Sequence, residues 1–427
     1  MLSEKIVRTY TDILKEELVL AMGCTEPIAI AYASAVMTDL LGGRPTRIRA
    51  GLSGNIIKNV KSVIVPATGG MRGIAAAVAA GAVAASPEKK LEVLCNLKKE
   101  DISTISEYIE ATPIEIYELD TDNQFELLME GELDGNVGRV HLVNRHTNIE
   151  LVEKNGENMT SRYRLNESDT PSYAADRSLL NVKDIIEFAE TVDLAELEPT
   201  LRRQIDLNMA IAQEGLSESY GASIGRLIYS DGRCGIRDSA RAYAAAGSDA
   251  RMSGCELPVC IISGSGNQGI TASVPVVVYA QIWGAEQETL LRALIVSDLI
   301  TVHLKSGIGC LSAYCGAISA GCGCGCGICY LGGGRYYEIA HTLVNSIAIL
   351  SGTICDGAKA SCAAKIAMAV EAGVMGYEMM KSGRQFYGGD GIVTKGVENT
   401  IKNVGKLARD GMSETDREII RIMLEKN

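Results

Sequence analysis

Residues 306–334 read SGIGCLSAYCGAISAGCGCGCGICYLGGG, 29 positions between Lys305 and Arg335 without a single charge. The stretch is long enough to cross a bilayer. Its composition argues otherwise: ten of the 29 residues are glycine, and most of the rest are alanine, cysteine and serine. A lipid-facing helix needs large apolar side chains, whereas small ones suit a buried segment where backbones approach closely. The stretch is therefore expected inside a folded body. The Ala/Gly run 71–85 is too short to span and carries Arg72, so it too is expected inside the protein rather than in a membrane.

Outward from this segment, the pattern from about residue 183 to the end is helical with Gly-rich interruptions. At the other end, Ile6, Tyr10, Ile13, Leu14 and Leu18 have helical spacing over 3–20. The turn Gly23-Cys24-Thr25-Glu26-Pro27 follows. Pro27 fits a first helical position with Thr25 or Glu26 as cap, and Gly42-Gly43 ends that helix near Leu41. Residues 46–65 read as strands (RIRAGL, SVIVPA) around Ser53-Gly54-Asn55, and an Ala-rich helix follows Thr68-Gly69-Gly70. Between 88 and 165 the character changes to alternating β-branched and charged residues with Asp-Gly and Asn-Gly turns, the mark of an antiparallel sheet. Residues 166–182 read as a polar linker. The expected fold is α+β and mainly helical: residues 1–87 and 183–427 form a helical body, and a small α+β antiparallel-sheet domain, 88–182 with its linker, lies between its halves.

Composition narrows the function. Lys and Arg number 41 against 53 Asp and Glu, a net charge of −12 that argues against a general nucleic-acid binder. Hydrophobic residues at 47% with 22% charged exclude a disordered chain. The charged opening MLSEKIVRTYTDILKEEL has no apolar core of a signal peptide, and 13 cysteines, an odd number, do not suit a secreted disulfide scaffold. A reducing cytoplasm is the expectation. There, cysteines serve packing, metal binding or catalysis.

Cys24 precedes a helix start, where the dipole and free N–H groups favour a thiolate; the alternative is a small buried residue in a turn. Cys355 and Cys362 lie in Gly352-Thr353-Ile354-Cys355-Asp356-Gly357-Ala358-Lys359-Ala360-Ser361-Cys362. If Asp356-Gly357 opens a helix, seven residues turn through about 700°, so both thiols face one site. Gly316 beside Cys315 permits close approach of a bulky group. Cys322, Cys324, Cys326 and Cys329 look like a metal motif, but C-x-C-x-C matches neither zinc ribbons nor ferredoxins, and helical residues two apart point away from one another. They read as packing, as do Cys95, Cys234, Cys255, Cys260 and Cys310.

Gly264-x-Gly266-x-x-Gly269 formally matches a dinucleotide fingerprint, but Pro275 and the valine run break the helix it needs. A backbone nest for a small carboxylate is the alternative, involving Ser265, Asn267 and Gln268. Thr68-Gly69-Gly70 offers the same chemistry, and Ser53-Gly54-Asn55 does so more weakly. His146, beside Thr147 and Asn148, either reaches a ligand or is structural. Lys359 could form a Schiff base.

Together, Gly23-Cys24-Thr25-Glu26-Pro27, Ser53-Gly54-Asn55, Pro66-x-Thr68-Gly69-Gly70, Gly264-Ser265-Gly266-Asn267-Gln268-Gly269 and Ile354-Cys355-Asp356-Gly357-Ala358-Lys359-x-Ser361-Cys362 resemble the L-cysteine desulfidase family, itself similar to the α chain of iron–sulfur L-serine dehydratases. The resemblance runs from residue 24 to 362. It implies a [4Fe–4S] cluster, no pyridoxal phosphate, and a helical body that binds the cluster. By resemblance Cys315, Cys355 and Cys362 match the cluster ligands, and Cys24 is either a base or a fourth, exchangeable ligand. The implied reaction is α,β-elimination from L-cysteine to pyruvate, ammonia and hydrogen sulfide. The substrate-binding residues would be Ser53, Asn55, Thr68, Gly69, Gly70, His146, Ser265, Asn267, Gln268 and Lys359. The CGCGCG run departs from the family's small Ala/Gly residues. Two other readings are an L-serine dehydratase with the same cluster and a metal-free amino-acid-binding protein; a pyridoxal-phosphate enzyme through Lys359 is a third. The partner is a small amino acid, with neither nucleic acid nor membrane, and a homodimer is compatible with the chain. A shared site requires Cys24 within about 15 Å of the other three cysteines, because a cluster with its thiolates spans only several Å.

Overall fold

A computed structural model describes residues 2–164, 175–229, 234–309 and 311–424. Much of the expected linker, 166–174, and Cys310 lie outside the described residues. The chain forms a helical body and a smaller α+β lobe.

Helix α1 (Glu4–Glu17) starts at Ser3, whose hydroxyl caps the Ile6 amide, and buries Tyr10, Ile13 and Leu14. After β1 (Leu20–Met22), the lobe runs through α2 (Thr25–Leu41), β2 (Arg47–Leu52), α3 (Gly54–Val60), α4 (Gly73–Ala84), α5 (Asp101–Ala111), β3 (Ile114–Glu118), β4 (Glu126–Leu133), β5 (Asn136–Val143), β6 (Ile149–Lys154), β7 (Glu157–Asn158) and α6 (Thr160–Tyr163). Its six strands are ordered β3-β2-β4-β5-β6-β7. The sheet is mixed rather than purely antiparallel: β2 and β3 run parallel with Ile48 opposite Ile114, and the remaining pairs are antiparallel. Leu127, Met129, Val140 and Leu142 alternate onto the face that shares a core with α2.

Three local expectations are corrected here. β2 is an interior strand of this sheet, so residues before 88 contribute to it. SVIVPA supplies only an isolated bridge, Ile64 with Arg72, and the preceding Gly54-Asn55 opens α3. Strand-forming residues pair only where a partner strand is present, and here none runs alongside. Helix α2 begins two residues before Pro27 with Cys24 itself at its N-cap, and it ends as expected with Gly42 in the left-handed conformation, φ +81°.

The body comprises α7 (Val182–Thr191), α8 (Glu198–Ser217), α9 (Ile224–Tyr229), α10 (Ile236–Met252), β8 (Pro258–Cys260), α11 (Gly266–Trp283), α12 (Gln287–Ile308), α13 (Gly316–Leu331), α14 (Tyr336–Leu350), α15 (Cys362–Lys381), α16 (Val397–Lys406) and α17 (Ser413–Leu424). α13 forms the central part of the segment 306–334 quoted at the outset. It packs among α11, α12, α14 and α15 and is buried all round, as a helix without a polar face must be. Cys324, Cys326 and Cys329 are completely buried and Cys322 nearly so, in keeping with their reading as packing residues. Cys255 and Cys260 are buried too; Cys95, by contrast, is exposed and Cys234 half-buried, because neither sits on a core-facing position. Among the described residues, no helix is long and apolar enough to cross a membrane.

Helix α11 continues through Pro275, which its buried surroundings accommodate. The dinucleotide reading fails on other grounds: the strand before this helix, β8, is three residues long and pairs antiparallel with β1. The β1–β8 pair joins the two parts of the molecule. So does the C-terminal end, where α17 packs on α3 and the buried Lys58 ammonium pairs with Asp416.

Candidate functional site

The site starts from a register between two helices. In α13 and α15, Gly321 stands against Ala369, and Gly325 against Gly373. Position numbers rise together, so the helices run parallel and their N-termini lie at one end of the body. Cys315 is the N-cap of α13 and Cys362 the first residue of α15. The expected helix opening at Asp356-Gly357 is corrected: residues 355–361 are an irregular loop that bends and turns only over 358–361, and Cys362 sits at the helix mouth rather than two turns in. Cys355 reaches the same place by a backbone bridge: the Cys315 amide donates to the Thr353 carbonyl (3.0 Å) and the Cys355 amide to the Ala313 carbonyl (2.6 Å). Gly357 allows this turn, with φ +94° and no room for a Cβ, which would lie 2.4 Å from the Lys58 carbonyl oxygen.

Cys315, Cys355, Cys362 and Cys24 all line one cavity of about 830 Å³ between the lobe and the body. Burial pushes the Cys315 thiol up to about 12, and the neighbouring Cys355 adds to it. Burial also raises Cys362. Thiolates so placed call for a cationic partner.

On the lobe side, Cys24 Sγ donates to Glu26 Oε2 (3.5 Å). Thr25 Oγ1 lies 3.1 Å from the same oxygen and 2.8 Å from the Gly264 carbonyl, and Asn59 Nδ2 donates to Glu26 Oε1 (2.9 Å). Burial alone would raise the Glu26 carboxyl, but His146, its own backbone amide, Arg251 and Thr25 outweigh that and hold it below the usual range. The same carboxylate works against Cys24. Burial first and then Glu26 raise that thiol far above its ordinary value, with Arg251 easing it and Cys362 adding to the rise. The expected helix-end thiolate is thus reversed by a buried anion two residues away.

His146 sits in the turn between β5 and β6, half-buried with its Nε2 shielded from solvent, edge-on to Phe125 with ring centroids 4.8 Å apart. Burial lowers its pKa, with Glu26 opposing, and Nε2 has no partner. Gly264, at φ +73°, passes close to the ring; a Cβ there would lie 3.1 Å from Cε1. Past Gly264, Ser265 caps α11 through its backbone only, and the side-chain oxygens of Asn267 and Gln268 are buried without partners.

Of the residues singled out from sequence, Cys24, His146, Ser265, Asn267, Gln268, Cys315, Cys355 and Cys362 meet on this cavity. Ser53, Asn55, Thr68, Gly69, Gly70 and Lys359 are not on its wall. Ser53 Oγ donates to the Gln124 carbonyl (3.1 Å) while the Ser53 backbone starts α3, and Asn55 lies in that helix's first turn. Thr68 Oγ1 donates to the Val65 carbonyl (2.7 Å), and Gly69 and Gly70 turn the chain at positive φ. This loop buttresses the Cys24 turn: a Cβ on Gly23 would meet Pro66 Cγ at 2.2 Å. Lys359 pairs with Asp356 (2.6 Å). Sequence reasoning missed Glu26, Asn59 and Arg251. Glu26 had a signal, adjacency to Cys24 in a quoted motif; Arg251 had none.

The family profile described as "Serine dehydratase alpha chain" matches residues 88–421. The chain belongs to the serine dehydratase alpha-chain family. Full-length relatives agree in extent. A UPF0597 protein of Desulfitobacterium hafniense is 52% identical over 423 residues, 99% of this chain and 98% of that one. UPF0597 proteins of Treponema denticola and Finegoldia magna are 44% and 45% identical over 421 and 424 residues, covering 97% and 98% of this chain and 97% and 100% of theirs. In this serine dehydratase alpha-chain relative, Cys24, Glu26 and Asn59 precede the matched region, and the full-length relatives span them. The family is related to the iron–sulfur serine dehydratases, and the fold is that of a lyase.

Proposed function

We propose that this chain is an iron–sulfur lyase that eliminates sulfide from L-cysteine, with a [4Fe–4S] cluster held by Cys315, Cys355 and Cys362. The observation that carries the proposal is the convergence of those three thiols, from two parallel helix N-termini and a bridged turn, on one cavity. Among the described residues, no three His, Cys, Asp or Glu side chains are grouped so as to hold a single metal ion. Thiols spread round the end of a roomy cavity do not suit a lone zinc. They suit a polynuclear cluster, in which each thiolate binds a different iron. The small neighbours Gly316, Ala317, Gly357 and Ala358 leave space beside them.

When bound, the cluster supplies a Lewis acid for the β-leaving group. The chain's own residues do the rest. The first turn of α11, with Asn267 and Gln268, receives the substrate. His146, half-buried and biased to the neutral form, offers Nε2 as acceptor for the α-proton. The Cα–H electron pair becomes the Cα–Cβ double bond, and the sulfur leaves with the C–S pair. The aminoacrylate then hydrolyses to pyruvate and ammonia. With His146 as the base, Cys24, whose thiol burial and Glu26 raise, is left the role of exchangeable fourth ligand in this reading. The cytoplasmic, reducing setting belongs to the same reading, since thiolate ligands need it.

Anaerobic purification followed by iron and acid-labile sulfide analysis tests the proposal: about four of each per chain are expected. Pyruvate and sulfide release from L-cysteine is then compared with pyruvate release from L-serine. A colourless, iron-free chain under these conditions overturns the cluster. Preference for L-serine would establish the second reading, an L-serine dehydratase, which the family's description favours.

A further inference from the structure

We infer that Arg251 and Glu26 form a zwitterion-reading pair that restricts the cavity to free α-amino acids. The inference rests on the amino-acid reading above and names the residues that impose it.

Arg251, in the last turn of α10, is 2% exposed and lines the cavity. A buried guanidinium is unfavourable unless an anion compensates it. Among the described residues it makes no ion pair, and its Nε has no hydrogen-bond partner. Its position is built rather than accidental. Helix α11 starts directly over it: a Cβ on Gly266 would lie 2.4 Å from Arg251 Nε. The guanidinium and the free amides of an 18-residue helix N-terminus therefore share one wall. That combination is a carboxylate site.

Glu26 is 7% exposed and lines the same cavity. Asn59, Thr25 and Cys24 all donate to it, which fixes an ionised carboxylate in place. The Arg251 charge acts on Glu26, yet the two side chains are not in ion-pair contact. Two buried, opposite charges with a gap between them leave each other half-compensated. A ligand carrying a carboxylate and an ammonium on one carbon completes both. The Asn267 and Gln268 side-chain oxygens, buried and unpartnered, supply further acceptors for the ammonium. Blocking either group of the ligand would bury an uncompensated charge, so N-acyl amino acids, amides and simple carboxylates are excluded.

The test uses the anaerobically purified, cluster-loaded chain and L-alanine, which has no leaving group and cannot be turned over. Calorimetry compares L-alanine with N-acetyl-L-alanine, L-alaninamide and propionate on the unaltered protein. Only L-alanine should bind, by a margin of about tenfold or more, the effect of losing one charge-assisted hydrogen-bonded partner. Arg251→Met should weaken L-alanine at least tenfold and raise KM for L-cysteine in step, with Arg251→Lys recovering part of the loss. Glu26→Gln should weaken L-alanine and narrow its margin over propionate. Equal binding of N-acetyl-L-alanine or propionate by the unaltered protein overturns the pair, as does L-alanine affinity unchanged by Arg251→Met. L-alanine binding without turnover of cysteine or serine would instead sink the lyase reading and leave the pair standing.

Discussion

Cys315 and Cys355 lie side by side because their backbones bridge: each amide donates to the carbonyl of the residue two before the other cysteine. The thiols are thus fixed by main chain, not by their own contacts. Replacing one sulfur should leave the frame intact and remove only a ligand. Cys355→Ala is expected to lose the iron and acid-labile sulfide while keeping its thermal transition. Cys326→Ala, inside α13, should retain both metal and sulfide at a cost of about 1 kcal/mol for the small cavity. Iron analysis and melting curves on the two proteins decide; full iron in Cys355→Ala refutes the ligand assignment.

His146 carries the proton-transfer prediction. Burial depresses its pKa against the opposing field of Glu26, so the neutral imidazole persists below the ordinary value of 6.5. The acid limb of kcat/KM for L-cysteine should therefore fall below pH 6.5. His146→Gln keeps the size and a polar end but cannot accept the proton. Its kcat should drop by about 10²–10⁴ with KM little changed. A parallel loss in KM alone would assign the ring to binding.

Asp298 gives a stability prediction far from the chemistry. It is fully buried on α12, and Gln204 Nε2 donates to its Oδ1 (3.0 Å). Burial raises its carboxyl to about 8, with Gln204 pulling the other way. The folded chain then holds a proton that the unfolded chain releases near 3.8. Between those values the folded state binds the extra proton, so stability falls as pH rises, by at most about 1.4 kcal/mol per unit, and levels off above about 8. Asp298→Asn keeps the acceptor for Gln204 and removes the titration. Denaturant unfolding from pH 5 to 8 should show the variant gaining on the parent. A constant difference would mean that Asp298 is ionised throughout.

What the sequence disclosed was local. The small-residue stretch 306–334 could be placed inside the protein because glycine and alanine cannot face lipid profitably, and α13 is buried. RIRAGL is β2, and Gly42 ends α2, because alternation and a left-handed glycine act within a few residues. The site was less legible. Glu26 and Arg251 face one cavity from more than two hundred residues apart, and no period or spacing reports such a convergence. Cys362 was expected two turns into a helix because nothing in the composition of 355–361 marks the turns that delay it. Cys24 looked like a helix-end thiolate, and only the packing around it reveals that Glu26 is also buried there.

The parallel register of α13 and α15 sets where Cys315 and Cys362 stand relative to each other, and it can be broken at a distance. Gly325 has no room for a methyl group: a Cβ would lie 2.5 Å from the Gly373 carbonyl oxygen, which belongs to helix backbone and cannot swing aside. Gly325→Ala must push the helices apart, at a cost of about 1–3 kcal/mol, toward the upper end because the clash is with backbone. Cys315 and Cys362 ride on the N-termini of those two helices, so iron retention should fall with stability although no ligand is touched. Gly235→Ala, with nothing within 4 Å of its Cβ, should change stability by less than about 1 kcal/mol and keep its iron. If Gly325→Ala loses stability yet keeps full iron and sulfide, the cysteines are positioned by their own loops, and the Cys315–Cys355 bridge alone suffices to hold the site.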